Sequence, residues 1–207
     1  MSAPEQGHRL PVIDPDARAK ERRAQAEAAA ERRVGRERAL ADQVAGWFQP
    51  EQVRRSDFRD QQTLTIPLDR ARETLRRCRD ELGFAMLTDV TALDTLRLPG
   101  EHPERFVVCW SLANLDQEAR LFLQAYVNED EPVAPTASDI WPAADWAERE
   151  VYDMFGVEFA GHPNLIRLLM PFDYAGHPLR KDYPLRGRGE RDDFPVVRRG
   201  NEEEVRP

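Results

Sequence analysis

Beyond residue 60 the chain switches between two hydrophobic periods, and each switch marks an element. Thr63-Leu64-Thr65-Ile66 alternates as a short strand does, and Pro67, with no amide hydrogen for a ladder, stops it. Leu68, Ala71, Leu75, Cys78 and Leu82 then recur at spacings of three and four, one apolar face of a helix, and Gly83 is placed to end that helix. Residues 84–90 read as a strand with Phe84, Met86 and Val90 on one side, and Pro99-Gly100 as a turn. In residues 105–113, Phe106, Val108, Trp110 and Leu112 alternate with Val107 and Cys109; Leu121, Leu123, Ala125 and Val127 repeat the device. The short connection at 114–118 predicts an antiparallel pair. A further helix is predicted over residues 142–155, with Ala144, Ala147, Val151, Met154 and Phe155 as its apolar stripe and Gly156 at its exit. Strand, helix, several strands, helix is an α+β order: a two-layer sandwich, mostly antiparallel sheet with helices on one face, plus an extended C-terminal segment.

The two ends differ from this middle. Residues 17–45 are mostly Ala, Arg and Glu, strong helix formers with few large side chains. Arg23/Glu27, Arg33/Glu37 and Arg38/Asp42 have helical spacing in the less favourable order, and only Leu40, Val44, Trp47 and Phe48 form a stripe that can dock. Residues 1–46 therefore read as a charged, solvated helical extension or a tether to a neighbour, 47–160 as the α+β core, 161–185 as an aromatic and ionic interface segment, and 186–207 as a charged tail. The opening MSAPEQGHRL lacks the apolar stretch of a secretory signal, and the acids at Glu5, Asp14 and Asp16 do not suit a mitochondrial leader, so a bacterial-type, unprocessed chain is expected.

Composition narrows the function. A chain of 207 residues can bury a core, and no run approaches the roughly 18 apolar residues of a membrane span. A net charge of −8 argues against nucleic acid as a partner. Cys78 and Cys109 supply neither a disulfide framework nor the four thiolates of a usual iron–sulfur cluster. Gly187-Arg188-Gly189 lacks the third glycine of a dinucleotide loop, and no phosphate loop or Gly-x-Ser-x-Gly turn is present. No cofactor is expected in this chain.

The candidate chemistry lies in residues 147–185. Asp139 is a candidate cap near the start of the helix predicted over residues 142–155. Asp145, Arg149 and Asp153 stand at i, i+4 and i+8, so one arginine can sit between two carboxylates, while Glu148 and Glu150 point about 200° apart and cannot share one reaction centre. Glu150 and Asp153 fall at the edges of the apolar stripe, within a partner's reach. His162 and His177 each lie between Gly and Pro; with Asp173 or Asp182 they offer a weak metal set, and imidazoles satisfying loop carbonyls are the favoured reading. Arg180, Lys181 and Tyr183 form a compact cationic segment with interface chemistry.

Glu148-Arg149-Glu150, Tyr152-Asp153-Met154-Phe155-Gly156, Gly161-His162-Pro163 and Gly176-His177-Pro178-Leu179-Arg180-Lys181-Asp182-Tyr183-Pro184-Leu185 together resemble the signature of the C-type subunit family of NADH-quinone oxidoreductase, a small hydrophilic component of the peripheral arm of respiratory complex I. Where that family has a basic residue or proline four places after the first histidine, this chain has Ile166, and Arg167 follows. The resemblance implies a non-catalytic part of a proton-translocating enzyme on the cytoplasmic side of the inner (plasma) membrane. It also implies FMN, iron–sulfur clusters and quinone bound in the assembled complex by other subunits. Its implied partners are other peripheral-arm subunits, the D-type above all, with the B- and I-types, and membrane association runs through them. Glu148, Arg149, Glu150, Asp153, His162, His177, Arg180, Lys181 and Tyr183 carry over as interface or fold-specifying residues. The corresponding component of a membrane-bound hydrogenase is the second reading, and a metalloenzyme using His162, His177 and Asp173 the third.

Overall fold

The computed structural model describes residues 15–188. Two helices come before and within the first half of the sheet. α1 (Pro15–Ala45) leads into the hairpin β1 (Arg54–Phe58) and β2 (Gln61–Thr65), and α2 (Leu68–Leu82) follows. The strands β3 (Met86–Asp94), β4 (Phe106–Asn114) and β5 (Ala119–Val127) come next, then β6 (Val133–Pro135), α3 (Ala144–Phe155) and β7 (Glu158–Ala160). The main sheet has the order β1-β2-β5-β4-β3; every neighbouring pair is antiparallel except β2 with β5. β6 and β7 make a separate parallel pair. The expected α+β sandwich is the architecture found.

One face of the sheet carries the core. Phe106, Val108, Trp110 and Leu112 stand directly opposite Val127, Ala125, Leu123 and Leu121, and all eight are buried. Leu64 lies beside Leu123 on the same face. Ala71, Leu75 and Cys78 of α2 and Val151, Met154 and Phe155 of α3 close over this layer. α2 ends as expected, with Gly83 left-handed at φ 73° and its N–H on the Cys78 carbonyl. Burial pushes the Cys78 thiol up to about 12 and the Cys109 thiol up to about 11, so both stay protonated and unreactive at neutral pH.

Several expectations are corrected. Met86 does not share a side with Val90. A bulge between Leu87 and Asp89 shifts the register, so Leu87, Val90, Ala92 and Asp94 face inward while Met86 is 45% exposed. Asp139 caps no helix; its carboxylate holds Arg72 and Arg76 of α2 at 2.8 and 2.9 Å, and α3 starts without a side-chain cap. β1 has no counterpart among the predicted strands because RRSDF has no alternation and all five residues are exposed at the sheet edge.

α1 changes character along its length. Leu40, Ala41, Val44 and Phe48 enter the same core as the strands, so the core reaches N-terminal of residue 47. Buried Glu37 accepts the Arg120 N–H at 3.0 Å. Arg38 pairs with Asp57 at 2.9 Å and Asp42 with Arg55, so these two tie α1 to the β1–β2 hairpin and not to each other. Arg33 and Glu37 keep the intrahelical pairing at 3.8 Å. From residue 18 to 33 nearly every side chain is exposed. The charged tail expected from residue 186 lies mostly outside the described residues, as do residues 1–14 of the extension.

Gly35 sits inside α1 where an added Cβ would meet nothing within 4 Å. Gly35→Ala therefore removes backbone entropy without a clash and stabilises that stretch of helix by about 1 kcal/mol. Amide hydrogen exchange across α1 reads this as increased protection; unchanged or faster exchange contradicts it.

Candidate functional site

The site is the C-terminal end of α3 and the irregular segment, residues 161–188, that wraps it. α3 forms because its apolar stripe faces the sheet, and Trp141, whose indole N–H reaches the Phe84 carbonyl at 3.2 Å, fixes the chain just ahead of it. Its end poses a physical problem. The last carbonyls of a helix have no intrahelical donor, and here they point into protein.

The C-cap Gly156 and the Gly-His-Pro-Leu-Arg motif at residues 176–180 supply the donors. The Tyr152 carbonyl takes the Gly156 N–H at 2.9 Å, and the Asp153 carbonyl takes His177 Nδ1–H at 3.0 Å. The Met154 carbonyl takes the Leu179 N–H at 3.1 Å, and the Phe155 carbonyl takes Arg180 Nε at 2.5 Å. Arg180 thus puts its charge at the negative end of the helix, with its guanidinium 5.0 Å from the Phe106 ring centroid. Gly156 is required twice over. Its φ is 72°, and a Cβ there would lie 2.5 Å from His177 Nε2 and 2.6 Å from Arg180 Nη2.

Asp153 performs the second closure. Its carboxylate is fully buried, not at the accessible edge of the helix that its place beside the apolar stripe suggests. One oxygen accepts three consecutive backbone N–H groups, Leu168, Leu169 and Met170, at 3.0, 2.7 and 2.8 Å; the other accepts Arg167 Nη1 at 2.7 Å. Arg167 then reaches the Gly176 carbonyl at 3.1 Å. Burial alone would raise the Asp153 carboxyl, but the Met170 N–H, Arg167 and the other two amides together hold it below the usual carboxylate value. Arg149 is not clamped between Asp145 and Asp153. It donates to the Ile166 and Arg167 carbonyls at 3.1 and 3.3 Å and lies over Trp146.

Glu148 also points inward. It is buried, accepting the Ala137 N–H at 2.6 Å and the Thr136 hydroxyl at 2.5 Å. Burial dominates and pushes its carboxyl up to about 7, against the pull of those two bonds. His162 lies beside it. The Asn164 N–H donates to His162 Nδ1 at 3.0 Å, so the ring proton sits on Nε2 and goes to the Asp145 carbonyl at 3.1 Å. Burial likewise lowers the His177 pKa. Both imidazoles thus serve backbone groups at opposite ends of α3. Among the described residues no group of three or more His, Cys, Asp and Glu side chains is arranged to hold a metal ion.

Further along, the Lys181 N–H reaches Asp94 at 2.8 Å, and Asp182 joins Asp94 and Glu129 on the nearly buried Arg105. The Tyr183 hydroxyl meets the Tyr174 hydroxyl at 2.6 Å. Glu150 and the Lys181 side chain are exposed. Asp94, Arg105, Thr136 and Arg167 are absent from the residues that sequence reasoning assigns to the site; Arg167 alone leaves a signal there, as the cation displaced one place after Ile166.

The backbone of this segment is therefore spent inward while apolar side chains point out. Leu169 is 60% and Phe172 83% exposed, with Ile166, Leu179 and Leu185 also open to solvent. Trp146 extends this surface across α3, since Arg149 both covers its ring and bonds the Ile166 carbonyl. Exposed rings and leucines on a backbone hydrogen-bonded inward are the composition of an interface.

Known proteins share both the signature and the fold. The family described as respiratory-chain NADH dehydrogenase, 30 Kd subunit, matches residues 64–189. The C-type subunit of NADH-quinone oxidoreductase from Citrifermentans bemidjiense is 44% identical over 132 residues, 64% of this chain and 80% of that one. NADH-quinone oxidoreductase subunit 5 of Thermus thermophilus is 43% identical over 127 residues, 59% of this chain and 61% of that one. Among solved structures, the trypsin-resistant fragment of Nqo5 superposes with a TM-score of 0.57 at 33% identity, covering 61% of this chain and 99% of the fragment. A chain of an archaeal membrane-bound sulfane sulfur reductase shares the fold, with a TM-score of 0.56 at 21% identity over 82% of this chain and 98% of that one.

The two buried carboxylates make opposite demands. Asp153→Ala strands three amides and a guanidinium and is expected to cost about 3–5 kcal/mol in denaturant unfolding; a loss under 1 kcal/mol contradicts the role given to it. Glu148 works in the other pH direction. Its pKa is near 4.5 when unfolded and about 7 when folded, so the folded state holds the extra proton between those values. Its contribution is complete below pH 4.5 and is lost as pH rises through 7, on the order of 3 kcal/mol. Glu148→Gln is expected to abolish that loss between pH 5 and 8; an unchanged stability–pH profile rules it out.

Proposed function

The chain belongs to the respiratory-chain NADH dehydrogenase 30 Kd subunit family, and we propose that it works as a cofactor-free scaffold in the peripheral arm of a proton-translocating NADH:quinone oxidoreductase. On this reading it docks on the D-type subunit, with the B- and I-type subunits as further neighbours, and holds them in register. On the same reading electrons pass from NADH through FMN and iron–sulfur centres in other subunits to quinone. Among the described residues no helix is long and apolar enough to cross a membrane, and on this reading attachment to the cytoplasmic face of the inner membrane runs through partners.

The observation that carries this reading is the outward apolar surface of residues 166–185 on a backbone already fastened from within. A surface fixed before binding loses little conformational entropy on docking. Leu169 and Phe172 are the candidate anchors, with Glu150 and Lys181 at the polar rim. No step of the redox chemistry is assigned to any side chain here. The fold shared with the archaeal reductase supports a second reading, a component of another complex-I-like assembly such as a membrane-bound hydrogenase; identities of 43–44% with the NADH-quinone oxidoreductase relatives favour the first.

Native co-purification of the tagged chain with identification of the recovered subunits tests the reading. Leu169→Asp and Phe172→Asp change only exposed side chains, so the isolated chain should unfold as wild type does. Assembled complex and quinone-dependent NADH oxidation should then fall together, by tenfold or more. Normal assembly with collapsed turnover contradicts a scaffold role, and recovery of hydrogenase subunits installs the second reading.

A further inference from the structure

The family match begins at residue 64 and does not include α1, whose exposed half builds one wall of a groove of about 760 Å³. Ala26, Ala29 and Ala30, one face by their helical spacing, form that wall. Met86 and Leu115, 45% and 65% exposed, form the other, over a floor of buried Ala113 and Ala119. Arg33 and Arg120 stand at the rim, and the one acid there, Glu118, is paired with Arg36 at 3.0 Å. From residue 18 to 36 the helix carries seven basic against three acidic residues, in a chain whose net charge is −8.

We propose that this groove takes an acidic amphipathic helix of a protein partner. The alanine face lets another backbone approach closely, and Met86 and Leu115 offer the apolar area that such a helix buries. Arg22 and Arg33 stand eleven residues apart, roughly 16 Å along the axis, so a partner helix of about three turns would meet a guanidinium at each end of its apolar stretch. Val34 is the only large apolar residue between 18 and 36, which leaves the exposed half of α1 without the face needed to enter a lipid surface. The overall acidity of the chain disfavours nucleic acid. The inference goes beyond the scaffold reading and does not depend on which assembly the chain joins.

A photo-reactive residue in place of Ala29, in the full chain expressed in its host, tests it by mapping the cross-linked peptide. The expected adduct is one discrete segment of a partner, net negative and with apolar residues at helical spacing. Its yield should fall about tenfold when Arg22, Arg23 and Arg33 are all changed to Glu, and should recover when the captured carboxylates are changed to Lys. Leu115→Asp, on the opposite wall, should lower the yield independently of any effect on α1. An adduct to lipid, nucleic acid, a second copy or a segment without net negative charge overturns the proposal, as does no adduct or a yield insensitive to these changes.

Discussion

A helix that ends inside a protein must find donors for its last carbonyls, and the end of α3 is where the rest of this structure is decided. Four successive carbonyls, from Tyr152 to Phe155, are met by Gly156, His177, Leu179 and Arg180. Each donor left out would strand a buried acceptor at a cost of about 1–3 kcal/mol. The requirement reaches some 25 residues along the chain, from Phe155 to Arg180, and pulls an irregular segment onto the helix. Asp153 then takes the amides of residues 168–170, turning the same segment's backbone inward a second time.

Buried carboxylates recur as the device that fastens loops here. Glu37 holds the start of β5 through the Arg120 amide, and Glu148 holds the turn after β6 through Ala137. Asp94 holds the Leu96 and Lys181 amides, and Asp153 holds three. Asp94 and Asp153 also have a guanidinium partner, and their pKa values are lowered although burial is the largest single influence and opposes this. Glu148 has none and is raised. Acidification through the carboxylate range therefore loosens the C-terminal segment at Asp94 and Asp153, while alkalinity strains the Glu148 end of α3. The exposed face of the segment thus takes its shape from buried interactions beneath it.

The strands and α2 are legible in the sequence because burial leaves a period: Phe106 to Leu112 and Leu121 to Val127 alternate, and Leu68 to Leu82 repeats at three and four. Gly83 and Gly156 can be read as helix ends for the same local reason. The inward course of Asp153 and Glu148 is not legible, since a carboxylate at the edge of an apolar stripe looks alike whether solvent or loop amides receive it. Only the fold brings Leu168, Leu169 and Met170 to Asp153. β1, exposed at all five positions, leaves no period, and the bulge in β3 reverses a period without any glycine or proline to mark it. The signature histidines are readable as loop staples from their Gly-His-Pro setting, but the carbonyls they serve, Asp145 and Asp153, lie 17 and 24 residues away.

The central claim is that residues 161–183 are fastened in the chain by itself, before any partner arrives. Amide hydrogen exchange of the isolated full-length protein tests it most directly, at the N–H groups of Leu168, Leu169, Met170, Leu179 and Lys181. The account predicts slow exchange at all five, approaching the protection of β4, despite the absence of helix or strand there. Exchange at the rate of an open loop would contradict it, and would mean that assembly, not α3, orders the segment.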